Sequence, residues 1–156
     1  MNKTFVMLGA AVMWAMMGIG GAVAYEKQKV VYHINYDDPK TQAGALRNIQ
    51  NHINAVGKEN LELRVVMHGN GLSLLLDPDM KGEATLAANA TPQMQAKVAG
   101  LKDQGITFKV CANTLKGKKV TDPENQLYDF TKADIVPSGV AELAALQAQG
   151  FTYIKP

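Results

Sequence analysis

Short runs of β-branched and aromatic residues alternate along this sequence with stretches whose apolar residues recur at three- and four-residue spacing. No other feature constrains the fold as much. Residues 29–35, 61–67, 106–112, 133–136 and 151–154 have the length and composition of strands. Between the first two, Leu46, Ile49, Ile53 and Val56 make one apolar stripe on a helix over residues 41–56, and Gly57 closes it. Thr91 and Pro92 open a second helix, with Val98 and Leu101 facing inward and Gly105 at its end. Ser138 caps a third, which runs to Gln149. Strands separated by helices of this length are βαβ units, because parallel neighbours need a long crossover. The expected class is α/β, a single domain with a mostly parallel sheet and helices on both faces.

The connecting stretches are plainer. Residues 72–76 read as a helical turn, and residues 79–90, small and polar, as a mobile surface loop. Residues 116–124 read as a loop whose Lys116, Lys118 and Lys119 form a small basic cluster. No aromatic residue interleaves that cluster, so it reads as a solvated face and not as a nucleic-acid site.

Residues 1–24 stand apart. One charge, Lys3, precedes an uncharged apolar stretch from Phe5, then the pair Gly20-Gly21 and the small-x-small sequence Ala22-Val23-Ala24. That order describes a secretory signal peptide cleaved after Ala24, which makes residues 25–156 an exported, periplasmic domain. At ~1.5 Å per residue the stretch is also long enough to span a bilayer, so an uncleaved anchor is the competing reading. A membrane is a partner only in that case. The chain of 156 residues is 47% hydrophobic and 19% charged, enough to build one core. Its net charge of +2, with no long basic run, speaks against nucleic acid as a partner. A single cysteine, Cys111, excludes an internal disulfide framework and a Cys-rich zinc site.

Ligands of open parallel sheets bind beyond the carboxyl ends of the strands. The first strand ends in His33 and Asn35, the second in His68-Gly69-Asn70-Gly71, and the third in Cys111-Ala112-Asn113-Thr114. If the first strand lies between the other two, these groups face one crevice. Cys111 is the strongest single candidate. A helical turn starting at Asn113 would offer backbone N–H groups that favour a thiolate, and an imidazole such as His68 would add to this. A thiolate can take up sulfane sulfur and hold it as a persulfide. The competing reading is packing, since free cysteine is among the most buried residues. His33 lies inside an apolar strand, where a hydrogen-bonded core histidine is as good a reading as a site residue. The histidines lack metal-ligand spacing, so no metal is expected. Gly69-Asn70-Gly71 lacks the further glycine and the Lys-Ser/Thr of a phosphate loop, and no Gly-x-Ser-x-Gly elbow occurs. No cofactor is expected.

Five blocks together carry a resemblance: Val30-Val-Tyr-His-Ile-Asn35 with Asp37-Asp38-Pro39, Val65-Val-Met-His-Gly69, Phe108-Lys-Val-Cys-Ala-Asn-Thr-Leu115, Val136-Pro-Ser-Gly-Val-Ala-Glu-Leu143 and Tyr153-Ile-Lys-Pro156. In this order they resemble the DsrE/DsrF-like family, across almost all of residues 29–156. The resemblance implies a compact flavodoxin-like α/β domain that assembles into a homo-oligomer, a trimer or hexamer. It also implies a place in sulfur relays, with Cys111 as the only residue able to carry persulfide. Donor and acceptor would be proteins or small sulfur compounds.

The leading expectation is therefore an exported sulfur-binding or sulfur-transfer protein, acting in the oxidation of reduced sulfur compounds. Cys111 carries the sulfur, Asn113 and Thr114 shape its loop, and His68, Gly69, Asn70, His33 and Asn35 line the crevice. Such carriage is stoichiometric, which makes the chain a carrier and not a turnover enzyme. The alternative is an oligomeric module that binds a small ligand or a protein, with Cys111 as packing. A thiol-dependent enzyme is a weaker third reading, because the chain has no second thiol to resolve an intermediate.

Overall fold

The computed structural model describes residues 25–156. The expected signal peptide lies outside them. In chain order the principal elements are β1 (Gln28–Ile34), α1 (Pro39–Val56), β2 (Leu61–Met67), a 3₁₀ turn (Gly69–Leu74), α2 (Pro92–Lys102), β3 (Thr107–Cys111), α3 (Ala112–Gly117), α4 (Pro123–Gln126), β4 (Ile135–Val136), α5 (Gly139–Ala148) and β5 (Thr152–Ile154). The α/β expectation holds. The strands form one sheet in the order β4-β3-β2-β1-β5, and every neighbouring pair is parallel.

Residue parity along the strands assigns the two faces. Val30, Tyr32 and Ile34 of β1, Leu63, Val65 and Met67 of β2, and Phe108 and Val110 of β3 share the major core with Leu46, Ile49 and Ile53 of α1 and Val98 and Leu101 of α2. On the opposite face Val31 and Val66 pack under Leu143 and Leu146 of α5, with Phe151 beside them. Strands buried on both faces read as near-continuous apolar runs, which is the pattern of β1 and β2. The chain moves outward from β1 through β4 and then returns, by way of α5, to place β5 on the other side of β1.

The sequence-based expectation differs from the structure in three places. The first strand does not lie between the second and third: β2 is central, flanked by β1 and β3. Residues 79–90 are not a free surface loop. Ala84, Leu86 and Ala90 are buried, and the buried side chain of Asn89 donates to the Asp37 carbonyl at 2.7 Å and to Gln42 Oε1 at 2.9 Å. Gln42 in turn donates to Ser73 Oγ at 2.8 Å. This polar knot ties the segment to α1 and to the 3₁₀ turn, since buried amides need partners. Residues 116–124 likewise contain the end of α3, the buried Val120 and the start of α4. Among the described residues no helix is long and apolar enough to cross a membrane.

Candidate functional site

Cys111 is the last residue of β3 and the N-cap of α3. It sits on the α5 face of the sheet, and α5 begins directly above it. A Cβ on Gly139 would lie 2.9 Å from His68 Cβ and 3.3 Å from Cys111 Cβ, so only glycine lets the start of α5 come this close to both. Ser138 caps the helix by accepting from the Ala141 amide.

Two opposing effects act on the thiol. Burial pushes its pKa up. Hydrogen bonds from the Gly139 amide, the Thr114 hydroxyl and the amides of Thr114 and Asn113 pull it down, and together they leave it below the ordinary value of 9.0. Donors aimed at sulfur favour the charged form, and the amides at the start of α5 add the positive end of a helix dipole. The Thr114 hydroxyl accepts from the Gly69 amide at 2.8 Å, which leaves its own proton to point at sulfur.

The thiol opens into a cleft of about 380 Å³. His68, Gly69, Asn113 and Thr114, all singled out in the sequence, line it with Cys111. Lys118, Ser138 and Val140 also line it and were not singled out as site residues. Ser138 and Val140 belong to the block that opens α5, and that cap was the available signal. Lys118 was read as a solvated face. Its ammonium instead donates to Asn70 Oδ1 at 2.9 Å, and Asn70 donates to Asp37 Oδ2 at 3.2 Å. Asn70 thus braces the rim without lining the cleft. Asn35 follows β1, its backbone against Gly71: a Cβ on Gly71 would lie 2.0 Å from the Ile34 carbonyl oxygen and 2.9 Å from Asn35 Cα. It does not line the cleft.

His33 lies one layer behind the cleft. Its ring stacks on His68 with centroids 4.6 Å apart and planes at 28°. Its Nδ1 is 2.7 Å from the Tyr153 hydroxyl of β5. The side chain is 7% exposed, and Nε2 has no hydrogen-bond partner among the described residues. Burial first, then the neighbouring His68 and Lys155, lower its pKa from 6.5 to about 4. Burial, followed by Lys155, also holds His68 below the ordinary histidine value. Both rings are therefore neutral at pH 7. Among the described residues no group of three or more His, Cys, Asp or Glu side chains is arranged to hold a metal.

The sequence matches the DsrE/DsrF-like family over residues 28–156. The chain belongs to that family. Two solved structures share the fold of this DsrE/DsrF-like protein. One is a protein of unknown function from Methanobacterium thermoautotrophicum, 25% identical, with a TM-score of 0.65 and a match covering 83% of this chain and 100% of that one. The other is the ychN protein from E. coli, 18% identical, with a TM-score of 0.61 over 83% of this chain and 99% of that one. No curated protein matches the chain.

Proposed function

We propose that this DsrE/DsrF-like protein is a sulfur carrier that holds sulfane sulfur as a persulfide on Cys111. Family membership supports a role related to sulfur relay. The observation that carries the finer reading is the Cys111 sulfur, hydrogen-bonded by Gly139, Thr114 and Asn113 at the floor of an open cleft. In the carrying step the thiolate attacks the outer sulfur of a persulfide R–S–SH. A new S–S bond forms on Cys111, the donor's S–S bond breaks, and its electron pair leaves with RS⁻. No external oxidant or reductant is needed, and the acceptor reverses the exchange. Export with cleavage after Ala24, service in the oxidation of reduced sulfur compounds and assembly into a homo-oligomer belong to the same proposal.

Intact-mass analysis after exposure to polysulfide tests it. Adducts in steps of about 32 Da, one sulfur atom each on the oxidation ladder of cysteine, are expected on the wild type and not on Cys111→Ser. Absence of adducts, or equal adducts on both proteins, rejects the carrier. The rejecting result favours the second reading, a binding module in which Cys111, 5% exposed, serves as packing.

A further inference from the structure

We infer that His68 is the proton-transfer residue of the Cys111 cleft, held in place by the buried His33 stacked on it. This rests on the reading of Cys111 as the sulfur nucleophile. Three observations carry it. His68 lines the same cleft as Cys111, and the two side chains converge on Gly139, whose Cβ position is 3.4 Å from His68 Cδ2 and 3.3 Å from Cys111 Cβ. His33 presents a flat ring 4.6 Å behind His68, anchored by Tyr153 at 2.7 Å. The Nε2 atom of His33 is buried with no partner among the described residues. Structures rarely leave such an atom buried and unpaired without a reason.

The reaction needs a group of this kind. Attack by the Cys111 thiol gives up a proton, and the leaving thiolate RS⁻ takes one up. His68, neutral at pH 7, accepts the proton from the Cys111 S–H and returns it to RS⁻, so the products are the Cys111 adduct and RSH. Charge and protons balance within the cleft. The titratable groups around His68 are His33 from β1, Cys111 from β3, Lys118 from α3's end and Lys155 after β5. None is a carboxylate that would trap the imidazolium. With His33 stacked on one side and Lys155 close by, the proton on His68 is readily surrendered. His33 does not reach the cleft lining and acts as a positioning residue.

Leaving-group dependence distinguishes proton delivery from mere thiolate formation. Two small neutral disulfides serve as probes: 2-hydroxyethyl disulfide, which expels a basic thiolate, and 4,4′-dithiodipyridine, which expels a stable one needing no proton. Mixed-disulfide formation at Cys111 is read by mass at pH 7 on the full protein. His68→Gln is expected to slow both reactions, which lose the base that takes the Cys111 proton, and to slow the hydroxyethyl reaction at least ~10-fold more, because only that one also loses the acid for its leaving group. His33→Ala is expected to show the same selective loss in smaller degree, and His33→Phe, which keeps a flat ring behind His68, to restore it. Equal slowing with both probes, no slowing with either, or no reaction of wild-type Cys111 with either one overturns the inference. The dithiodipyridine rate also reports a misfolded variant, because an unfolded chain exposes Cys111 and reacts faster. Neither probe delivers sulfane sulfur, so this result is independent of the polysulfide experiment. A failure of persulfide carriage leaves the proton-transfer assignment standing or falling on its own data.

Discussion

A histidine with a pKa of about 4 records what its surroundings do to it. His33 pays the desolvation cost of charge in an apolar strand, and His68 and Lys155 add repulsion. The sign of the effect on stability follows. Between pH 6.5 and about 4 the unfolded chain binds a proton at this position that the folded chain does not, so stability falls as pH drops through that window. Chemical denaturation at pH 7 and pH 4.5 is expected to show this loss in the wild type and a smaller one in His33→Phe. His68 and His52, also held low by burial, account for the remaining slope. An equal loss in both proteins contradicts the assignment. At Cys111 the balance runs the other way, because hydrogen bonds outweigh burial. The candidate residues themselves were legible in the sequence, since polar side chains at strand ends stand out against apolar runs. Their roles were legible only in part: the apolar strand around His33 left a core and a site reading equally open, and only the packing puts His33 behind the cleft and His68 in it.

Among the elements, α1 was legible almost to its ends. Its apolar stripe gave the body, and Asp38, which accepts from the Thr41 amide at 2.7 Å, starts the helix at Pro39, two residues before the stripe suggested. The segment 79–90 was misread because Leu86 is its one large buried apolar residue, and the others, Ala84, Asn89 and Ala90, are small or polar. Asn89 supplies its buried side-chain hydrogen bonds, beside the backbone bonds of Thr85 to Lys118 and of Ala90 to Leu76. Asn89→Ala strips partners from the Asp37 carbonyl and from Gln42 Oε1, both held in a buried network, and is expected to cost about 1–3 kcal/mol. The same substitution is expected to make residues 77–90 the first site of limited proteolysis. Unchanged stability with unchanged protease resistance would show that the knot contributes nothing. At α5, by contrast, Ser138 marked the cap in advance. That the helix start rests against a thiol depends on Gly139, whose missing side chain carries no signal of what lies beside it.

The whole molecule is a five-stranded parallel sheet with α1 and α2 on one face and α5 on the other. The proposed homo-oligomer belongs to this scale. Sedimentation equilibrium of the chain beginning at Tyr25 is expected to give three or six protomer masses, and a concentration-independent monomer removes assembly from the proposal. The class of fold was determined by the sequence itself, because helix stripes, strand runs and caps are written in spacings of two to four residues. Strand order was decided only in the tertiary structure. Whether β1 or β2 occupies the centre depends on which faces bury the most apolar surface together, a sum over residues far apart in the chain. That choice places His68, at the end of the central strand, between His33 and Cys111. The chemical groups were therefore named by the sequence, and their meeting was produced by packing.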